Sequence, residues 1–293
     1  MVQQFRKIAA VGFVFLMGTS AIFAQKYSHK RLEKRQEILL YFGGGLSPLQ
    51  YSATTGKQSG GLGGQMGFNC NVFLSRKFSL KTGVEFSTYS SSFSLEKSSI
   101  RFMTTDIENT LFEFRSTMEN YKEKQYIIML QVPFMVQFQS GRKHQFYAAL
   151  GGKIGLPLIV KYNNSSTSIQ NTGYYAEEDY EYTTQQFMGF GKFPGSSGDL
   201  KFKIAFFGSA EIGGKWIMRD GYKLYTGVYV DYGLNNIANQ QVGVPFVEYN
   251  MKNPSDFVIH SIFESQYSQG NEMRAFTNKI VPLAAGIRVT MAF

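Results

Sequence analysis

The sequence predicts an all-β protein: an eight-stranded antiparallel transmembrane β-barrel with short turns at one end and long loops at the other. Three observations predict it. Apolar residues recur at every second position in eight segments. The links between those segments alternate short and long. The composition is aromatic and poor in charge: of 293 residues, 16% are aromatic and 17% charged, with 30 Gly, 27 Phe and 18 Tyr. A soluble domain usually carries about 25% charge, and a disordered chain has few aromatics. The single Cys excludes a disulfide framework and a cysteine-based zinc site.

Residues 1–24 have the order of a secretory signal peptide. Arg6 and Lys7 form the basic start, and Ile8 to Met17 is an apolar run too short to span a bilayer. Cleavage is expected after Ala24, with Ala21 as the alternative, leaving a basic tail at 25–36 and a barrel at 37–293. No later run of 18 apolar residues occurs, so no transmembrane helix is expected.

The barrel segments follow in order at about 37–47, 61–74, 78–95, 125–139, 145–160, 201–217, 222–233 and 281–293. In the fourth, Tyr126, Ile128, Leu130, Val132, Phe134, Val136 and Phe138 alternate against Gln125, Gln131, Gln137 and Gln139. In the sixth, Phe202, Ile204, Phe206, Ala210, Ile212 and Trp216 oppose Lys203, Ser209, Glu211 and Lys215. In the last, every second residue from Val281 to Phe293 is apolar. Period two places each set on one face of a strand. Frequent Gly within the segments resists a helix.

Short links fall around Ser75-Arg76-Lys77, Gly141-Arg142-Lys143-His144 and Met218-Arg219-Asp220-Gly221. Long ones fall near 48–60, 96–124, 161–200 and 234–278. The short links carry net +4 and the long ones net −5. Sorted lengths and charges orient the barrel, with short turns periplasmic and long loops extracellular.

Several short runs then resemble a known family. They are Leu130-Gln131-Val132-Pro133, Ala149-Leu150-Gly151-Gly152-Lys153, Tyr232-Gly233-Leu234-Asn235-Asn236-Ile237 and the terminal Phe293. Over about 36–293 the chain resembles the PorT-like outer-membrane β-barrel domain family of Gram-negative bacteria, of Bacteroidota type. The resemblance implies an outer-membrane barrel of eight strands. It implies that Phe293 acts as the assembly signal for the barrel-insertion machinery. It implies no activity, and the family name suggests a subunit of a secretion or gliding assembly.

Strand phase places nine charges inside: Lys81, Glu85, Lys153, Lys203, Glu211, Lys215, Lys223, Asp231 and Arg288. So small a barrel has room for side chains alone, and buried charges need partners. A paired plug is therefore the expectation. Six cations against three anions suggest the alternative of a small anion-preferring porin. Among the loops, the acidic aromatic run Tyr174, Tyr175, Glu177, Glu178, Asp179, Tyr180 and Tyr182 is the candidate contact site. It could also hold Ca²⁺ through its carboxylates, although a solvated loop is the default.

The remaining motifs carry less. His29, His144 and His260 are assigned to opposite sides of the membrane, so no metal site is expected. Asp256, His260 and Ser261 imitate part of a hydrolase site by proximity alone, and no catalytic residue is assigned. Gly60-Gly61-Leu62-Gly63-Gly64 lacks the third Gly of a phosphate loop and precedes a strand. Cys70 falls on an apolar face. No cofactor and no nucleic acid are expected. The expected partners are outer-membrane lipid, the insertion machinery, and an envelope protein met through the loops or the tail.

Overall fold

A computed structural model describes residues 36–140, 145–183, 190–218, 222–239, 244–253, 257–269 and 272–293. The expectations for the signal peptide and tail, His29, His144, Asp256 and the two turns at 141–144 and 219–221 lie outside these residues. Residues Gln36–Phe293 form one compact unit. In chain order the strands are β1 (Gln36–Leu46), β2 (Leu49–Ala53), β3 (Lys57–Gly60), β4 (Leu62–Phe73), β5 (Phe78–Thr105) and β6 (Leu111–Ser140). They continue with β7 (Gln145–Tyr175), β8 (Tyr180–Tyr182), β9 (Phe190–Asp199), β10 (Ala205–Ile217) and β11 (Lys223–Gly233). The last are β12 (Val247–Glu248), β13 (Val258–Ile259), β14 (Gln266–Gln269), β15 (Glu272–Ala275) and β16 (Thr277–Ala292).

Eight strands pair antiparallel in the order β1, β4, β5, β6, β7, β10, β11, β16, and β16 pairs back onto β1. The ring is therefore closed. Starting at Gln36 and stepping across the pairs Val72, Leu80, Val136, Leu150, Ala210, Val230 and Ala285 returns to β1 at Leu46, ten residues along. That stagger tilts the strands by about 40° and sets a backbone radius of about 8 Å. At the closing seam Gly286 lies against β1. A Cβ there would stand 2.1 Å from the Gly44 carbonyl oxygen, so no larger residue fits without moving the seam.

The outer wall is apolar, as the alternation requires. Phe42, Phe68, Phe134, Leu150, Ile212 and Ile287 are all exposed. On β6 the outward apolar set runs from Phe138 to Tyr126, and Lys124 and Lys122 follow it. The twelve steps from Tyr126 to Phe138 at this tilt cover about 30 Å, the thickness of a bilayer's hydrocarbon core. Trp216, Tyr222 and Phe293 close the belt at the short-turn end, with Tyr222 and Phe293 edge to face at 5.6 Å. A belt this large in water would be an aggregation surface, whereas hydrocarbon removes that cost.

The long links differ from the expected loops. Between 96 and 124 the chain stays in strand, because β5 and β6 continue as one ladder up to the turn at Asp106–Thr110. Residues 161–175 likewise prolong β7, with β8 and β9 paired to it. Alternation in this stretch buries Ile100, Phe112, Phe114, Met118 and Ile169 on one side. That inner face packs on Tyr249 from the link after β11, with Phe112 and Phe114 rings at 5.5 and 5.3 Å. Apolar content in these links thus builds a second core above the membrane belt.

Candidate functional site

The lumen has two chemistries stacked along the barrel axis. Small-barrel geometry forces inward side chains against one another, so each inward polar group needs a partner from another strand. In the lower half Glu211 accepts from Lys81 Nζ at 2.8 Å, Arg288 Nη1 at 2.9 Å and the Tyr147 hydroxyl at 2.7 Å. Lys153 bridges Glu85 at 2.5 Å and Asp231 at 2.8 Å. Gln65 donates to Asp231 at 2.6 Å and accepts from Arg288. Tyr41 donates to Glu85. The Arg288 guanidinium lies between the Tyr41 and Tyr229 rings, 4.5 and 4.8 Å from their centroids. Three anions and three cations neutralise one another within this layer.

A second layer lies toward the short turns. Glu37 accepts from Lys215 at 3.3 Å, from the Tyr225 hydroxyl at 2.6 Å and from Lys223. Lys215 also donates to Gln139 at 3.0 Å. Glu37 opens the first segment and is not among the nine expected lumen charges, yet it alternates in phase with the inward Leu39 and Tyr41. That phase is the signal that identifies it.

Most of the expected lumen charges meet here: Lys81, Glu85, Lys153, Glu211, Lys215, Asp231 and Arg288 are buried, and Lys223 is half-buried. Lys203 is the exception. It is exposed, because β10 begins only at Ala205 and the chain before it leaves the strand's alternation, its amide bonding the Ile237 carbonyl while Phe202 packs inward. With Lys203 removed and Glu37 added, the two charge layers hold five cations and four anions, and the buried Glu123 lies above them. The charge asymmetry that suggested an anion-preferring pore largely disappears.

Above the charges the lumen is apolar. Tyr89 stacks on Phe207 at 6.0 Å and its hydroxyl accepts from Gln131 at 2.7 Å. The described parts of the link after β11, 244–253, 257–269 and 272–276, fill this end as a plug, placing Phe246, Ile262, Phe263 and Phe276 against Tyr121, Tyr51 and Phe202. One buried carboxylate holds it. Glu123 accepts from Ser261 Oγ at 2.6 Å, the Ile262 amide at 3.1 Å, the Tyr121 hydroxyl at 2.5 Å and Gln125 Nε2 at 2.9 Å. Its cross-strand partner Asn164 donates to the Ile259 carbonyl at 2.9 Å and accepts from Ser196. Two neighbouring wall residues therefore clamp one stretch of the plug. Glu123 falls within the link expected at 96–124, yet it is in phase with the inward Gln125.

The clamp has a pH sense. Burial holds the Glu123 carboxyl above its ordinary value despite four donors. The bond to Glu264, with Glu248 at 2.8 Å, holds His260 above the ordinary imidazole value. Both groups take up a proton more readily in the fold than in the unfolded chain. Each therefore favours the fold most below its ordinary value, about 4.3 for Glu and 6.5 for His, and that contribution is lost as pH rises through the raised folded value. Amides of 257–263 should exchange faster at pH 8.5 than at pH 6 after correction for intrinsic rates. A slower corrected rate at pH 8.5 would reverse the assignment.

The other sequence candidates divide. The hydroxyl of Ser261 is committed to Glu123 while His260 faces Glu248 and Glu264, so the structure does not assemble them as nucleophile and base. In the acidic run, Tyr175 is a core residue rather than a contact residue. It stacks on Phe112 at 5.2 Å and donates to Asp106 at 2.8 Å. Tyr174 is half-buried under Arg115, 4.3 Å from its ring centroid. Glu177, Glu178, Asp179, Tyr180 and Tyr182 are exposed. Tyr174 donates to Asp179 and Tyr182 to Glu178, at 2.7 and 2.6 Å. Among the described residues no group of three His, Cys, Asp or Glu is placed to hold a metal ion.

Fold and site together define a membrane β-barrel whose interior is filled by paired charges and a folded plug. No family model and no curated protein matches the chain. Among solved structures, the translocator domain of autotransporter NalP from Neisseria meningitidis aligns over 99% of this chain and 97% of that chain, at 8% identity and a TM-score of 0.21.

Proposed function

We propose that this is an outer-membrane barrel of a Gram-negative envelope with a structural or surface-interaction role and no open pore. The observation that supports it is the double filling of the lumen: neutralised charges below, and an apolar plug clamped by Glu123 and Asn164 above. Ions crossing it would have to break buried pairs and displace Phe246 and Phe263. Export by residues 1–24, and reading of Phe293 by the insertion machinery, belong to the same proposal. So does membership of the PorT-like family. The role of a membrane subunit in a secretion or gliding assembly is favoured by the ordered β5–β7 extension, which carries a rigid surface above the belt.

Purified protein in planar bilayers is the test. Little or no steady conductance is expected. A stable anion-selective channel would overturn the closed-barrel reading and promote transport above it.

A further inference from the structure

Among the described residues, the β5–β6 extension has one edge covered and one edge bare. Within the barrel β5 pairs with β4 along Ser79–Ser87, and just above it with β3 along Ser91–Ser94. Beyond Ser94 it pairs only with β6 among the described residues. The chain of β3 cannot follow, because Gly56 has φ +91° and turns it away. Near Glu96 the exposed phase of β5 changes, opposite Asn120 with φ +50°. From there Lys97, Ser99, Arg101 and Met103 face out.

The same residues own the open hydrogen bonds. The Asp106 amide donates to the Thr110 carbonyl, which makes that pair a bonded one. Bonded pairs alternate along an antiparallel ladder. Residues 98, 100, 102 and 104 therefore bond to β6, while Lys97, Ser99, Arg101 and Met103 aim N–H and C=O at the bare edge. The outward residues of β5 on this edge carry two cations and no anion, although Lys97 stands across from Glu119 without an ion pair to it. Arg101 stands directly across from Arg115, which Glu113 and Glu181 already neutralise at 2.7 and 3.2 Å. Neither Lys97 nor Arg101 has an ion-pair partner among the described residues.

We propose that this edge docks an extended acidic polypeptide segment, which adds to β5 as a further strand along the track that β3 leaves at Gly56. Carboxylates on its outward face meet Lys97 and Arg101, and an apolar side chain lies beside Met103. A second copy of this chain is the poorer occupant. Two-fold pairing of two such edges would set Lys97 and Arg101 of one copy against those of the other. That the partner is an envelope protein rests on the membrane reading above; the docking chemistry does not.

A fluorescent decapeptide of alternating threonine and glutamate is titrated into the folded full chain in zwitterionic micelles. Saturable binding is expected, with slowed amide exchange at Lys97, Ser99, Arg101 and Met103. Ser99→Pro removes an edge donor without touching the β6 ladder, and Arg101→Glu reverses the charge. Each should weaken binding by about tenfold or more, and a threonine–lysine peptide should not bind. Should Ser99→Pro disorder the hairpin, seen as lost protection at Ile100 and Phe102, Arg101→Glu decides alone. Absence of saturable binding, affinity unchanged by Arg101→Glu, or protection appearing elsewhere overturns the proposal. A conducting channel in bilayers would sink the closed-barrel reading and leave this result standing.

Discussion

Replacing Arg288 with methionine should destabilise the barrel by about 3–5 kcal/mol, the usual cost of stranding buried charges. Arg288 is 1% exposed and shared by Glu211, Gln65 and the Tyr41 and Tyr229 rings, with Glu85 at 3.7 Å. Its loss leaves the central layer with three anions against Lys81 and Lys153. The companion variant Arg288→Met with Glu211→Gln restores neutrality and should regain much of the loss. Urea titration followed by heat-modifiable gel migration reads both. Equal midpoints for wild type and single variant would show that water inside the barrel, and not Arg288, neutralises these carboxylates.

A second large effect is expected at the mouth. Glu123→Ala leaves four donors without their acceptor, two of them on the plug. Each buried unsatisfied group costs about 1–3 kcal/mol, shared between plug and wall. Plug opening should become easier by about 3 kcal/mol, a roughly hundredfold faster exchange at Ile259–Phe263. Barrel migration on gels should not change, because the charged layers do not touch Glu123. Asn164→Ala should act in the same direction through the Ile259 carbonyl. Unchanged plug exchange in both variants would mean that aromatic packing alone retains it.

Local alternation is enough to specify the barrel wall. Period two fixes which side chains face in and out, and an apolar outer phase with glutamines and charges inside is legible without coordinates. It reached Lys81, Glu85, Lys153, Glu211, Lys215, Lys223, Asp231 and Arg288, because strand phase is a local property. It errs at segment ends: Lys203 lies just before β10, Glu123 lies two residues outside the fourth segment, and Glu37, the first residue of the first segment, is left out of the lumen charges. Alternation marks a face but not where a strand stops, and the stop depends on its neighbours.

The pairings were decided by the tertiary structure alone. Lys81 and Glu211 are 130 positions apart, Ser261 and Glu123 138, and Gln65 and Arg288 223. Those distances close only when eight strands return to the first with a stagger of ten residues. The ordered links belong to the same category. Tyr175 has the composition of a surface loop around it, yet it is buried because β6 supplies Phe112 and the turn supplies Asp106. A side chain's phase is set by its own strand, but its partner is set by the closure of the whole ring.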